Sequence, residues 1–186
     1  MKIGFDLDDT LVHNDVFEKV FKKYDIKKEH VNFSQELEYT DINPEAIRDV
    51  LDMFKSPYMG ALKPVSYAKH VIEELVRHGH EIYIITARAY DMCEITSNLI
   101  KTHFPGIDLD NVHYVGSSAK ATIIKKLGLE VMVDDNVSYV DELKDTDITL
   151  FVISNEDTWG NTGQTDRLLH LAYVQVINNI KQVLFE

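Results

Sequence analysis

Three carboxylates fall within four positions at Asp6-Leu7-Asp8-Asp9, directly after the apolar run Ile3-Gly4-Phe5. Like charges a few ångströms apart repel, and partial burial makes each carboxyl harder to ionise. A cation relieves that cost, and an oxygen-only donor set suits a hard ion such as Mg²⁺. Taken alone, the stretch also fits a solvated acidic turn after an edge strand. Three further positions weigh against that. Thr86 closes the apolar run Ile82-Tyr83-Ile84-Ile85, Lys120 follows the turn Gly116-Ser117-Ser118, and Asp134-Asp135 closes Val131-Met132-Val133.

Together these types describe phosphoryl transfer. Asp6, last in a rigid strand, can attack phosphorus and form an acyl-phosphate. Asp8, two residues on, can protonate the leaving oxygen and then activate water. Mg²⁺ would bridge Asp6 and the phosphate, with Asp134 as a further ligand and Asp135 acting directly or through water. Thr86 offers a hydroxyl to a phosphate oxygen. Lys120 adds a positive charge to a helix start that already favours an anion. Each residue has an ordinary reading by itself: a strand-end hydroxyl, a solvated helix lysine, a cap and turn. Their joint placement carries the argument.

The elements that must hold them follow from the apolar spacing. Lys2–Leu7 reads as a central buried strand. Val16, Phe17, Val20, Phe21 and Tyr24 recur at helical spacing after Asn14 or Asp15. Asn43-Pro44 starts a second helix, with Asn as cap and Pro at the first position. A longer helix is predicted from Pro64 to His78, stopped by Gly79. From there strands and helices alternate: Glu81–Thr86, Tyr90–His103, Val112–Val115, Ser118–Leu127, Glu130–Val133, Val137–Leu143 and Ile148–Ile153. That alternation predicts an α/β fold with a parallel sheet covered on both faces. Near the end, Leu168–Ile177 reads either as a continued helix or, the reading preferred, as a short extended run at Tyr173–Val176 before a helix from Asn178. In such sheets ligands bind outside the carboxyl ends of the strands, where the residues above are gathered.

The totals narrow the function classes. At 186 residues the chain is one moderate domain or a domain with an insertion. Its net charge of −12 argues against a nucleic acid polymer or an anionic membrane as partner. A small phosphorylated substrate would need local cations. No apolar run approaches the ~20 residues that span a bilayer. The single cysteine, Cys93, excludes an internal disulfide, and with no signal peptide ahead of the first strand the expected location is cytoplasmic. A homodimer is left open.

The four positions resemble the four motifs of the haloacid dehalogenase-like superfamily: Asp6-Leu7-Asp8-Asp9-Thr10, Thr86 in Ile84-Ile85-Thr86, Lys120, and Val133-Asp134-Asp135. The resemblance implies a Rossmann-like three-layer α/β/α core with strand order 5-4-1-2-3. It implies Asp6 as nucleophile and Asp8 as acid/base, with the Asp8 main-chain carbonyl among the metal ligands. Asp9 and Ala87 join Thr86 and Lys120 as expected phosphate contacts. The second aspartate of the first motif favours phosphate chemistry over dehalogenation. It also implies a small helical cap inserted after strand 1: residues 14–62, with 1–13 and 63–186 as core. Within the cap, Phe33, Tyr39, Phe54 and Tyr58 could stack on a base or sugar, or form the cap's own core.

A closer resemblance is to the 5'(3')-deoxyribonucleotidases. It rests on Ile84-Ile85-Thr86-Ala87-Arg88, on Lys120 leading Lys126-Leu127-Gly128, on Val133-Asp134-Asp135, and on Trp159 and Arg167 after the last strand. Arg88 is read either as an aid to phosphate binding or as a surface ion-pair residue. The expected activity is a Mg²⁺-dependent phosphomonoesterase on nucleoside monophosphates. The alternatives are a phosphatase on another small phosphoester such as a sugar phosphate, a phosphomutase, or a catalytically silent ligand-binding domain.

Overall fold

The computed structural model describes residues 1–27, 43–116, 120–136, 138–153 and 173–185. Six strands form one parallel sheet: β1 (Lys2–Phe5), β4 (Glu81–Thr86), β5 (Val112–Tyr114), β6 (Val131–Asp134), β7 (Thr149–Ile153) and β8 (Val174–Ile177). Their order is β5-β4-β1-β6-β7-β8. The first five sheet strands therefore lie in the expected 5-4-1-2-3 arrangement, read from the opposite edge. The sixth, β8, is an addition to that expectation; it pairs with β7 from Leu150↔Val174 to Ile153↔Ile177.

Side chains alternate across the sheet, and the two faces build two cores. Ile3, Phe5, Ile82, Ile84, Val133 and Phe151 meet helices α3 (Ala68–Arg77) and α4 (Cys93–His103) on one face. Tyr83, Ile85, Met132, Leu150 and Val152 face helix α5 (Lys120–Leu127) and the 3-10 turn Val140–Leu143 on the other. Gly4 lies on this second face. A Cβ there would come within 2.6 Å of Leu129 Cδ1 and 2.8 Å of Met132 Sδ, so the close approach requires glycine. Among the described residues, no helix is long and apolar enough to cross a membrane.

Two short strands, β2 (Val12–His13) and β3 (Lys63–Pro64), pair antiparallel as His13↔Lys63 and Val12↔Pro64. Between them the described chain carries helices α1 (Val16–Lys23) and α2 (Pro44–Phe54). Asn43 caps α2 by accepting the N–H of Glu45 at 2.9 Å, as its sequence signature predicts. The two helices share a core through Val16, Val20, Phe21, Ala46 and Val50. Phe17 and Phe54 meet edge to face at 5.5 Å.

Some boundaries depart from expectation. The helix predicted from Pro64 begins at Ala68, because Pro64 is taken up in β3 and Tyr67 has a left-handed φ of +69°. It stops at Gly79, where φ is +80°. The helix predicted over Val137–Leu143 is, in its described part, only the 3-10 turn Val140–Leu143. The run after β8 is likewise a 3-10 helix, Ile180–Phe185.

Candidate active site

Register places the acidic residues. Phe5 pairs with Val133, so Asp6 and Asp134 leave the sheet side by side. The Asp6 N–H donates to Val133 O at 2.9 Å and carries the pairing one residue further. Lys120 opens α5 and reaches between the two strand ends. Its Nζ donates to Asp6 Oδ1 at 2.6 Å and to Asp134 Oδ2 at 2.7 Å. Asp134 also accepts the Tyr139 hydroxyl at 2.6 Å and the Asn136 N–H at 2.8 Å. Asp6, Asp134 and Asp135 are all buried, and each offers a carboxylate oxygen within 4.8 Å of the other two.

Burial dominates the electrostatics. It pushes the Asp6 carboxyl up to about 7; Lys120 opposes this, and Asp134 and Asp8 add to it. Asp135 lies well above the usual carboxylate range, first from burial and then from Asp134 and Asp6. Burial would lower Lys120, but Asp134 and Asp6 outweigh it and hold its ammonium above the ordinary lysine value. Asp9 is raised to about 6 by burial, partly offset by the Asn14 N–H it accepts at 2.9 Å. Its φ is +58°, the left-handed turn that carries the chain from Asp8 into β2.

Asp8 is held apart from the three-carboxylate group. Its Oδ2 accepts Arg88 Nε at 2.8 Å, and its Oδ1 accepts Arg88 Nη2 at 2.8 Å and Asn14 Nδ2 at 3.1 Å. The expected role of Asp8 in metal binding lies with its main-chain carbonyl, not with this carboxylate. Thr86 is buried at the end of β4; its Oγ1 accepts the Arg88 N–H at 3.2 Å, leaving the hydroxyl hydrogen available.

A cavity of about 460 Å³ opens above these groups. Asp6, Asp8, Asp9, Ala87, Arg88, Lys120 and Asp135 line one side, and Phe17, Leu51, Phe54 and Lys55 of the 14–62 segment line the other. Of the eight residues selected for catalysis, phosphate and metal, all but Thr86 and Asp134 line it; those two are buried just behind.

Other expectations fare differently. Arg88 is not the surface residue of one reading: it is 6% exposed, lines the cavity and pairs with Asp8. Phe54 lines the cleft, whereas Tyr58 is taken up by hydrogen bonds with Asp15 and Lys19. Phe33, Tyr39, Ser117, Ser118, Trp159 and Arg167 lie outside the described residues. Sequence reasoning missed two contributors. Tyr139 carries no signal beyond its position five residues after Asp134. Phe17 has the spacing of an ordinary helix-core residue.

The fold is that of haloacid dehalogenase-like hydrolases. A hydrolase of that family from Deinococcus radiodurans superposes with a TM-score of 0.70 at 13% identity, over 98% of this chain and 92% of that one. The family model described as 5' nucleotidase, deoxy (pyrimidine), cytosolic type C matches residues 1–163, and the chain belongs to that family of phosphoric monoester hydrolases. A Bacillus cereus protein provisionally named a nucleotidase is 30% identical over 155 residues, 77% of this chain and 80% of that protein. A Clostridium acetobutylicum protein named 5'(3')-deoxyribonucleotidase is 27% identical over 147 residues, 76% and 77% of the two chains.

Proposed function

We propose that the protein is a Mg²⁺-dependent nucleotidase that dephosphorylates deoxyribonucleoside monophosphates through an aspartyl-phosphate on Asp6. The observation that carries this is the placement of Asp6 on the floor of a cleft whose opposite wall is aromatic. The Clostridium relative bears the name of that activity, and the Deinococcus structure holds phosphate and sodium.

The donor set fits a hard dication. Among the described residues, Asp6, Asp134 and Asp135 are buried around a single ammonium, because the Arg88 guanidinium is engaged by Asp8. With its carboxyl at about 7, Asp6 is substantially protonated at neutral pH unless more positive charge is present. Asp6, Asp134, Asp135 and the Asp8 carbonyl would hold Mg²⁺, with Asp135 acting directly or through water. When bound, the ion would shield the phosphate from these carboxylates and offset charge as it develops.

The side chains then divide the work. Lys120, Thr86 and the Asp9 and Ala87 positions surround the phosphate. Asp6 attacks phosphorus; the bond to the leaving oxygen breaks, and that oxygen takes a proton from Asp8. Asp8, now a carboxylate, removes a proton from water. The resulting hydroxide attacks the acyl-phosphate, releases inorganic phosphate and restores Asp6. Residues 14–62 act as the cap on a core of 1–13 and 63–186, exclude bulk water, and present Phe54 and Phe17 to the nucleoside. The single cysteine supports a cytoplasmic location.

A panel of 5'- and 3'-monophosphates of deoxy- and ribonucleosides, with p-nitrophenyl phosphate and sugar phosphates, tests this reading. Hydrolysis of the deoxyribonucleotides with Mg²⁺, abolished by EDTA and restored by excess Mg²⁺, is expected. Activity that persists in chelator removes the metal role; preference for sugar phosphates removes the nucleotidase assignment.

A further inference from the structure

Arg88 is heavily engaged within the cleft, yet neither the attack on phosphorus nor the proton transfers use it. Its guanidinium grips both oxygens of Asp8 at 2.8 Å, the two-pronged geometry that fixes a carboxylate in orientation as well as position. The remaining nitrogen, Nη1, is also taken: it donates to Thr96 Oγ1 of α4 at 3.2 Å and to Met59 O at 3.4 Å. Thr96 and Met59 are fully buried, so the far side of the guanidinium rests on rigid structure. Four of its five N–H groups are thus engaged by the protein, which holds the guanidinium against Asp8.

The position of Met59 gives the arrangement a direction. Met59 lies in the 3-10 turn Pro57–Gly60, where the chain returns from α2 towards β3. Asn14, which also holds Asp8 Oδ1, lies where the chain leaves β2 for α1. Asp8 is thus gripped from both ends of the 14–62 segment, directly by Asn14 and through Arg88 by Met59.

We propose that Arg88 is the positioning residue for Asp8, setting the aim of its carboxyl group at the leaving oxygen and tying that aim to the seating of the cap. This rests on the acid/base role proposed for Asp8. Arg88 touches neither substrate nor reacting atom; its effect passes through Asp8. The proton still moves from Asp8 to the leaving oxygen as the P–O bond breaks.

The leaving group provides the test. An alkoxide needs protonation as it departs, whereas p-nitrophenolate leaves readily without it. Arg88→Met should lower kcat/KM for a deoxyribonucleoside 5'-monophosphate about 10- to 100-fold, the scale of a misplaced general acid. It should lower kcat/KM for p-nitrophenyl phosphate no more than about threefold, by the same reasoning. In an Asp8→Asn background, Arg88→Met should add nothing, because the group it aims is gone. Thr96→Val, which removes one anchor of the guanidinium without touching Asp8, should show the same substrate pattern at about fivefold. It serves if Arg88→Met does not fold.

Equal losses on both substrates, or an undiminished effect of Arg88→Met without Asp8, would overturn the proposal in favour of a purely structural arginine. A wild-type protein that hydrolyses neither substrate removes the phosphatase reading and this inference with it. That result is distinct from a wild type that hydrolyses both and variants that lose both equally.

Discussion

On the floor of the cleft, Asp6, Asp134, Asp135 and Lys120 sit on strand ends and a helix start, almost closed from solvent, with Lys120 tied to Asp6 and Asp134. Across from them, Phe17, Leu51 and Phe54 present apolar surface from α1 and α2, with Leu51 half exposed. The floor holds its groups by register and by ion pairs at 2.6–2.7 Å. The wall holds its groups by helix packing and by aromatic contact, Phe17 against Phe54 at 5.5 Å. The difference is one of tolerance. Removing a floor residue leaves a buried charge without its partner, whereas trimming a wall residue leaves a larger space that a substrate or water can fill.

The hardest test of that contrast is Asp6→Asn. Turnover should fall by at least the order of 10³-fold, as for loss of a nucleophile, with the far-ultraviolet circular dichroism unchanged. Near-normal turnover would break the comparison by showing that the floor does not do the chemistry. Next comes Phe54→Ala. A stacked base contributes roughly 1–3 kcal/mol, so KM for nucleoside monophosphates should rise about tenfold while kcat stays within about threefold. Inhibition by inorganic phosphate should not change. A fall in kcat alone would move Phe54 from the wall to the reacting centre.

The smallest effect concerns stability and pH in the metal-free protein. Asp6 folds with its carboxyl at about 7, above the ordinary 3.8. The folded state therefore keeps a proton that the unfolded chain has released, and its stabilising effect is lost as pH rises through about 7. Asp135 acts in the same sense. His80, His103 and His113, lowered chiefly by burial, act in the opposite sense, but only as pH falls through the ordinary histidine value of 6.5. In chelator, the thermal midpoint of the wild type, taken relative to that of Asp6→Asn so that the histidines cancel, should therefore fall between about pH 5 and 7. A relative midpoint that rises over that interval would mean the Asp6 carboxyl is not strained by burial.

The same contrast explains what can be read from sequence. Carboxylates closing runs such as Ile3-Gly4-Phe5 and Val131-Met132-Val133 are anomalous by type, because burial penalises them. Asp6, Asp134 and Asp135 therefore stand out from the residue order alone. The order of the first five sheet strands follows from the resemblance those residues carry. Phe17 looks like any apolar residue in an amphipathic helix, and only the packing of α1 on α2 shows that its ring faces the cavity. Tyr58 is of the right type, but a short turn aims it at Asp15 and Lys19 instead. Arg88 and Tyr139 are matched to their partners through space, across 80 and five residues respectively. A single sequence does not encode such pairings in any local spacing. The sixth strand falls on a run that reads as extended or as continued helix, and nothing in Val174-Gln175-Val176-Ile177 says which edge it joins.

The β2–β3 ribbon carries a consequence for how such proteins diversify. His13 and Lys63 lie opposite each other, so a chain that departs at one position is delivered back beside its starting point. Neighbouring strands run only about 5 Å apart, a gap that a helical hairpin, a longer bundle or a bare turn can each close. Such a module could be exchanged for a foreign one by splicing at these two positions while the parallel sheet keeps its register.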